Sequence, residues 1–531
     1  MSLHKSIFTI GFLTVLSRIM GYVRDMFIAA TMGAGPLTDA FLVAFRLPNF
    51  FRRLFAEGAF SASFVPLFSG IYTDQGKEKA VEFMEKTLSM MAIGLLIFTI
   101  IFQIFMPLIM YVLAPGFVHD AEQFDLAVYL TRLTFPYLLF ISIVSMFGGA
   151  LNSLGKFSAA AASPILLNIC LILSLYLLRS VTPTPAHALA WGVALAGVVQ
   201  VIFLYLSLRK HGINLRLKKP ELSPEVKKLL KLMLPGTIGA GIVQINLWVD
   251  TIIATLVPNA VSYLYYSDRI NQLPLAVIGT AVGTALLPLL TRQIKEKKLE
   301  EAMATQNRAL EISMFFTLPA AAAFMIIAFP IVSVLFQRGE FTGDEAMATA
   351  YSLSAYAIGL PAFVLIKLLV APFFATHDTK TPVQISVVGL IANIVFNIIL
   401  VLFLRHIGFF PHIGIALSTS LAAWLNVAML LITLHKRNLF RADATLKIRL
   451  RGMILSSMVM SAALFIIGKF TGNLVSHLQF LAAFHLQEAA VLGITIACGL
   501  AIFIISAFVF KAFDLKIVLR VLKRGRVKVN S

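Results

Sequence analysis

Apolar runs of about 20 residues recur from one end of the chain to the other, each long enough to cross roughly 30 Å of hydrocarbon as a helix. The pattern predicts about fourteen helices, over 6–31, 37–70, 87–114, 126–154, 158–179, 185–209, 230–257, 261–294, 308–336, 347–376, 380–404, 413–435, 448–470 and 486–511. The second and eighth are long, with bends expected at Pro48, Pro66, Pro274 and Pro288. The fold class that follows is an all-α polytopic membrane protein.

The polar stretches between the runs alternate in charge. Arg209, Lys210, Arg216, Lys218, Lys219, Lys227, Lys228 and Lys231 follow the sixth run; Arg292, Lys295, Lys297 and Lys298 follow the eighth. Lys436, Arg437, Arg441, Lys447, Arg449 and Arg451 follow the twelfth, and the C-terminal tail is basic again. The intervening connections are short and neutral or acidic, such as those holding Asp120 and Glu122 or Glu340, Asp344 and Glu345. This alternation places both termini in the cytoplasm and requires an even number of helices.

Composition agrees. Of 531 residues, 59% are hydrophobic and 13% charged, against roughly a quarter charged in soluble domains. The net charge of +19 sits between the apolar runs and at the C-terminus, where it serves orientation and attraction to anionic lipid headgroups; it does not indicate nucleic acid. Two cysteines, Cys170 and Cys498, both in apolar runs, make neither a disulfide framework nor a metal site.

The chain weakly resembles itself at an offset of about 220 residues. Pro164-Ile-Leu-Leu-Asn168 is echoed by the run ending in Asn393, Arg46-Leu-Pro48 by Arg269 through Pro274, and Val65-Pro66-Leu by Leu287-Pro288-Leu. Read as a duplication, it gives two six-helix lobes in the same orientation, 1–215 and 216–440, followed by two C-terminal helices and a basic tail over 441–531. Parallel repeats favour a substrate site near the bilayer midplane between lobes that rock against each other.

Charged residues inside apolar runs are the candidates for function. A guanidinium cannot shed its charge, and leaving one in hydrocarbon is costly. Arg18 and Arg24 lie in the first run, six residues apart and therefore about 120° apart on a helix. Arg24 has Asp25 beside it as a ready partner; Arg18 has no acidic neighbour. In the second run Asp39, Arg46 and Arg53 recur every seven residues on one face of an unbroken helix, Glu57 lies one turn beyond Arg53, and Arg52 points about 100° away. Arg53 and Glu57 read more simply as an ion pair, and Arg52 has snorkelling to the surface as its plainer alternative. Asp268 and Arg269 stand beside Tyr263, Tyr265 and Tyr266, an aromatic cluster that also fits an interfacial belt. Lys367 falls mid-segment in the tenth run. Asp250, Asn393 and Asn397 offer oxygen atoms suited to a small hard cation, with interhelical hydrogen bonding as the simpler reading. No phosphate loop, metal-binding histidine spacing or nucleophile elbow is present, so no enzyme is expected.

Two motifs are specific. Ser17-Arg18-x-x-Gly21-x-x-Arg24-Asp25, and Asp39-Ala-Phe-x-x-Ala-Phe-Arg46-Leu-Pro-Asn49-x-x-Arg52-Arg53-Leu-Phe-Ala-Glu57-Gly-Ala-Phe-Ser61, closely resemble the MurJ/MviN lipid II flippases of bacteria. Tyr265-Tyr-Ser-Asp268-Arg269 and Thr376-His-Asp378-Thr-Lys380-Thr-Pro382 are similar as well. The resemblance implies fourteen helices, a cationic central cavity and a place in the bacterial inner membrane. It also implies transfer of an undecaprenyl-diphosphate-linked disaccharide pentapeptide, the peptidoglycan precursor, to the periplasmic leaflet. It assigns Arg18, Arg24, Arg52 and Arg269 to the diphosphate and headgroup. Asp25, Asp39, Arg53, Glu57, Asp268 and Lys367 take gating or supporting positions, and the last two helices a groove for the lipid tail. It further implies a sodium site at Asp250, Asn393, Asn397 and Thr419, although Asn397 stands where a carboxylate can occur, which leaves a single anion there. No cofactor beyond sodium is implied. The alternatives are a flippase for another polyprenyl-linked oligosaccharide and a multidrug antiporter of the same superfamily; interior arginines oppose cationic drugs.

Overall fold

A computed structural model describes residues 3–54, 60–216, 218–477 and 487–513. Every regular element among them is helical: α1 (Leu3–Met32), α2 (Pro36–Phe51), α3 (Ser61–Gln75), α4 (Lys77–Leu113), α5 (Ala121–Thr134), α6 (Tyr137–Ser153), α7 (Phe157–Leu177), α8 (Pro185–Lys210), α9 (Pro224–Thr255), α10 (Ala260–Lys295), α11 (Leu299–Ile326), α12 (Ala328–Phe336), α13 (Gly343–Leu369), α14 (Ala371–Ala375), α15 (Lys380–His406), α16 (His412–Lys436), α17 (Ala444–His477) and α18 (Gln487–Val509).

The expected run 37–70 holds α2, a π-wound stretch at 52–54 and α3, with 55–59 outside the described residues, and 126–154, 308–336 and 347–376 are each split in two. The second of these breaks at Phe135-Pro136, where the proline ring and the missing N–H interrupt the ladder. The third and fourth break at Ile327 and Val370, each just ahead of a proline in the first turn of the next helix, Pro330 in α12 and Pro372 in α14. Among the described residues, ten segments are long and apolar enough to cross a membrane by themselves. The helices outside that group include α1, α2 and α10, which carry Arg18, Arg24, Asp25, Asp39, Arg46, Asp268 and Arg269.

The outward surface is apolar. Ile97, Ile101, Ile104 and Leu108 recur at helical spacing on α4 and are all exposed, Ile104 by 65%. Ile391, Val395, Ile398 and Leu402 do the same on α15. Such faces have lipid as their solvent, and the backbone polar groups are satisfied within the helices.

The chain forms two units, Met1–Ser262 with Phe336–Thr342, and Tyr263–Leu335 with Gly343–Ser531. In the first, α7 packs on α1 and α8, α2 on α5, and α3 on α4 and α6. Helix α9 lies in this unit against α2, α3, α4 and the short turn Pro115–His119. Gly116 explains how closely that turn approaches: a Cβ there would lie 1.8 Å from the Thr255 carbonyl oxygen, and its N–H donates to Thr255 Oγ1 at 3.3 Å.

In the second unit, α16 packs on α13 and α15, and α11 on α13 and α17. The C-terminal pair α17–α18 is held by charge and by aromatic packing. Glu311 of α11, buried, accepts from Arg308 and from Arg449 Nη1 at 2.7 Å; Arg308 Nη2 also reaches Asp443 at 3.1 Å. Phe315 of α11 meets Phe503 of α18 and Phe513, both with ring centroids 5.3 Å away. At the α14–α15 turn, Asp378 accepts from Thr381 N at 3.0 Å and from Arg437, whose guanidinium also covers the Phe373 ring. The Thr381 hydrogen bonds and Arg437 hold the Asp378 carboxyl well below the usual carboxylate range.

Candidate functional site

The first unit holds a buried charged network on α1. Asp25 is fully buried and Arg24 is 6% exposed. Arg24 donates to Asp25 Oδ1 from Nε at 3.0 Å and from Nη2 at 2.6 Å, and from Nη1 to Asn168 Oδ1 of α7 at 3.0 Å. Asn168 Nδ2 donates back to the Ser17 carbonyl of α1 at 3.2 Å. A paired, hydrogen-bonded guanidinium is the form in which a charge tolerates burial, and removing one partner would strand the other. Arg18, by contrast, is exposed and makes no hydrogen bond or ion pair among the described residues. The two arginines therefore occupy different faces of α1, as their spacing requires.

On α2, Asp39 is buried at 1% exposure and accepts from the backbone N–H of Ser262 at 2.8 Å and from the Ser262 hydroxyl. Ser262 lies in the first turn of α10, so the carboxylate caps that helix from outside, where its free N–H groups favour an anion. Arg46 is half-buried and donates to Thr251 Oγ1 of α9. Arg52 is half-buried and donates from Nε to Asn49 Oδ1 at 3.0 Å, while Asn49 Nδ2 donates to the Phe45 carbonyl at 2.9 Å. Residues 52–54 wind as a π-helix, which widens the turn by about one residue. Arg53 is exposed. Glu57 lies outside the described residues.

In the second unit, Asp268 accepts from Gln272 one turn later on α10, and the Arg269 guanidinium lies 5.8 Å from the Tyr265 ring centroid. Both residues are half-buried. The tyrosines do not form a belt: Tyr266 is fully buried, and Tyr263 packs on the buried His412 with ring centroids 4.9 Å apart. Lys367 is exposed in the last turn of α13, inside the apolar span Gly343–Ala375. Asn393 and Asn397 are buried on α15; Asn397 Nδ2 donates to Asn393 Oδ1 at 3.1 Å, and Asn393 Nδ2 points to Thr419 Oγ1 at 3.5 Å. Asp250 lies half-buried on α9 of the first unit. Among the described residues no group of three histidine, cysteine or acidic side chains stands ready for a metal.

Three partners escaped the sequence reading. Asn168 stood out only as a marker of the repeat, and Ser262 and Thr251 not at all. Each is a small polar residue in an apolar run, far in sequence from the charge it meets. A lone polar residue in a membrane helix is the only signal that could have found them.

Residues 28–485 match the family model described as "Lipid II flippase MurJ". The chain is 40% identical over 533 residues to a probable lipid II flippase MurJ of Rhizobium tropici, covering 99% of this chain and 98% of that protein. It is 36% identical over 518 residues to the probable lipid II flippase MurJ of Rickettsia prowazekii, covering 97% and 99%. Among solved structures it is similar to a lipid II flippase MurJ in an inward closed conformation, with a TM-score of 0.75 and 25% identity over 94% of this chain and 98% of that one. With the family model spanning most of the sequence and relatives aligned almost end to end, the chain belongs to the lipid II flippase MurJ family.

Proposed function

We infer that this multi-pass membrane protein flips lipid II, carrying the undecaprenyl-diphosphate-linked peptidoglycan precursor from the cytoplasmic to the periplasmic leaflet with both termini in the cytoplasm. The observation that carries the reading is the near end-to-end relationship to lipid II flippases. The chemistry of the chain supports it. The substrate's diphosphate is anionic, and a planar guanidinium fork binds phosphate oxygens in pairs where an ammonium offers a point charge. Arg18, Arg24, Arg52 and Arg269 are the groups assigned to it. Asp25 and Asp39, both buried acceptors, hold Arg24 and Ser262 at the start of α10 in place.

The driving force follows from charge. Each negative charge moved outward gains about 2.3 kcal/mol per 100 mV of inside-negative potential. Two charges on a diphosphate would make the potential sufficient without nucleotide hydrolysis. Asn397 supplies an amide where a second carboxylate would strengthen a sodium site, so sodium is not required in this reading. The test is translocation of purified lipid II in vesicles containing only this protein. Transport is expected in sodium-free buffer with an imposed potential, and a fall of at least tenfold when an ionophore collapses it. Unchanged turnover without a potential, or none without sodium, would overturn the driving force; no translocation under any condition would overturn the function.

A further inference from the structure

Asn168 is placed to do more than join two helices. Its amide spans two points on α1, accepting from Arg24 Nη1 at 3.0 Å and donating to the Ser17 carbonyl at 3.2 Å. That second bond fixes which way the amide faces, so the oxygen and not the nitrogen meets the guanidinium. The helix beneath it is braced from another direction: Gln200 of α8 donates to the Ser163 carbonyl of α7 at 2.9 Å and accepts from the Tyr137 hydroxyl at 3.2 Å. Asn168 is 6% exposed, so no bulk water competes for its oxygen.

The chemistry of the acceptor matters. Asp25 neutralises Arg24 through Nε and Nη2. A second carboxylate at the α7 position would hold the fork in a doubly anionic cage that a phosphate could not enter without like-charge repulsion. A neutral amide orients Nη1 yet yields to an anionic oxygen, because hydrogen bonds from an ion to an ion are stronger than those to a neutral group. We propose that Asn168 is a positioning residue for lipid II binding, a neutral, exchangeable acceptor that aims Arg24 and is displaced from Nη1 by the substrate's diphosphate. This rests on the assignment of Arg24 to the diphosphate.

The experiment is a double-mutant cycle read as binding of purified lipid II to the protein in nanodiscs, using Arg24→Ala, Asn168→Ala and the combined variant. Thermal melting reports fold integrity in each. Arg24→Ala is expected to weaken binding about tenfold or more, as loss of a charged hydrogen-bond donor does. Asn168→Ala is expected to weaken it several-fold when Arg24 is present and by nothing further when Arg24 is absent. The same factor in both backgrounds would show that Asn168 only packs α7 on α1, and would overturn the proposal while leaving the role of Arg24 intact. Unchanged binding by Arg24→Ala would overturn both. If Asn168→Ala does not insert, Asn168→Asp keeps the size and supplies Arg24 with a second anion. Binding weaker than wild type by about tenfold then supports the exchangeable acceptor, and unchanged binding overturns it.

Discussion

At the scale of single residues, the buried charges among the described residues are paired, several of them with a partner on another helix. Arg24 has Asp25 and Asn168, Asp39 has Ser262, and Glu311 has Arg308 and Arg449. Glu311 is the clearest test of what such pairing contributes. Its two oxygens are divided between two guanidiniums, one from its own helix and one from α17. Replacing it by alanine leaves Arg449, itself only 17% exposed at the side chain, without its anion. Breaking a buried pair from one side costs about 3–5 kcal/mol. Glu311→Ala should therefore lower the thermal stability of the purified protein and speed hydrogen exchange at the start of α17 before that of α13 and α16. Uniform exchange across the second unit would show that Glu311 has no local hold on the C-terminal pair.

At the scale of elements, proline was an ambiguous guide. Pro107, Pro164, Pro319 and Pro361 all lie inside continuous helices, whereas Pro136 sits at the junction of α5 and α6. The ring removes the same N–H in every case; neighbouring helices decide whether the helix bends or stops. The same holds for the close turn at Pro115–His119. Its sequence announces a loop through Pro115 and Gly116, but nothing local reveals that Gly116 lies against the end of α9. An added methyl has backbone on its path, which cannot rotate away. Gly116→Ala should cost about 1–3 kcal/mol as an overpacked contact, seen as a lower melting temperature. An unchanged melt would mean that the turn can lift from α9 at no cost. The π winding after Phe51 was equally hidden.

At the scale of the whole molecule, the lipid solvent sets most of the plan. The apolar runs follow the thickness of the hydrocarbon, and the apolar faces of α4 and α15 are exposed to it. The charge of the connections supplies the orientation in the proposed function, and it makes a direct prediction. Single cysteines at Asp120 and Glu340, in a variant lacking Cys170 and Cys498, should react with an impermeant thiol reagent from the periplasmic side. Cysteines at Lys210 and Lys298 should be protected until the membrane is opened. The reverse pattern would invert the protein and the direction assigned to transport.

The sequence by itself determined the class of solvent, the succession of apolar segments, the presence of costly charges within them and, through two dense motifs, the family. All are local quantities: hydropathy summed over one span, or residue types at short spacing. What only the tertiary structure decided is which atom answers each charge. Arg24 and Asp25 are neighbours in sequence and their pairing was legible; Asn168 lies 144 residues away and Ser262 lies 223 residues from Asp39, so theirs was not. A buried ion in a low-dielectric interior must be matched within about 3 Å, and only the packing of helices brings distant residues that close.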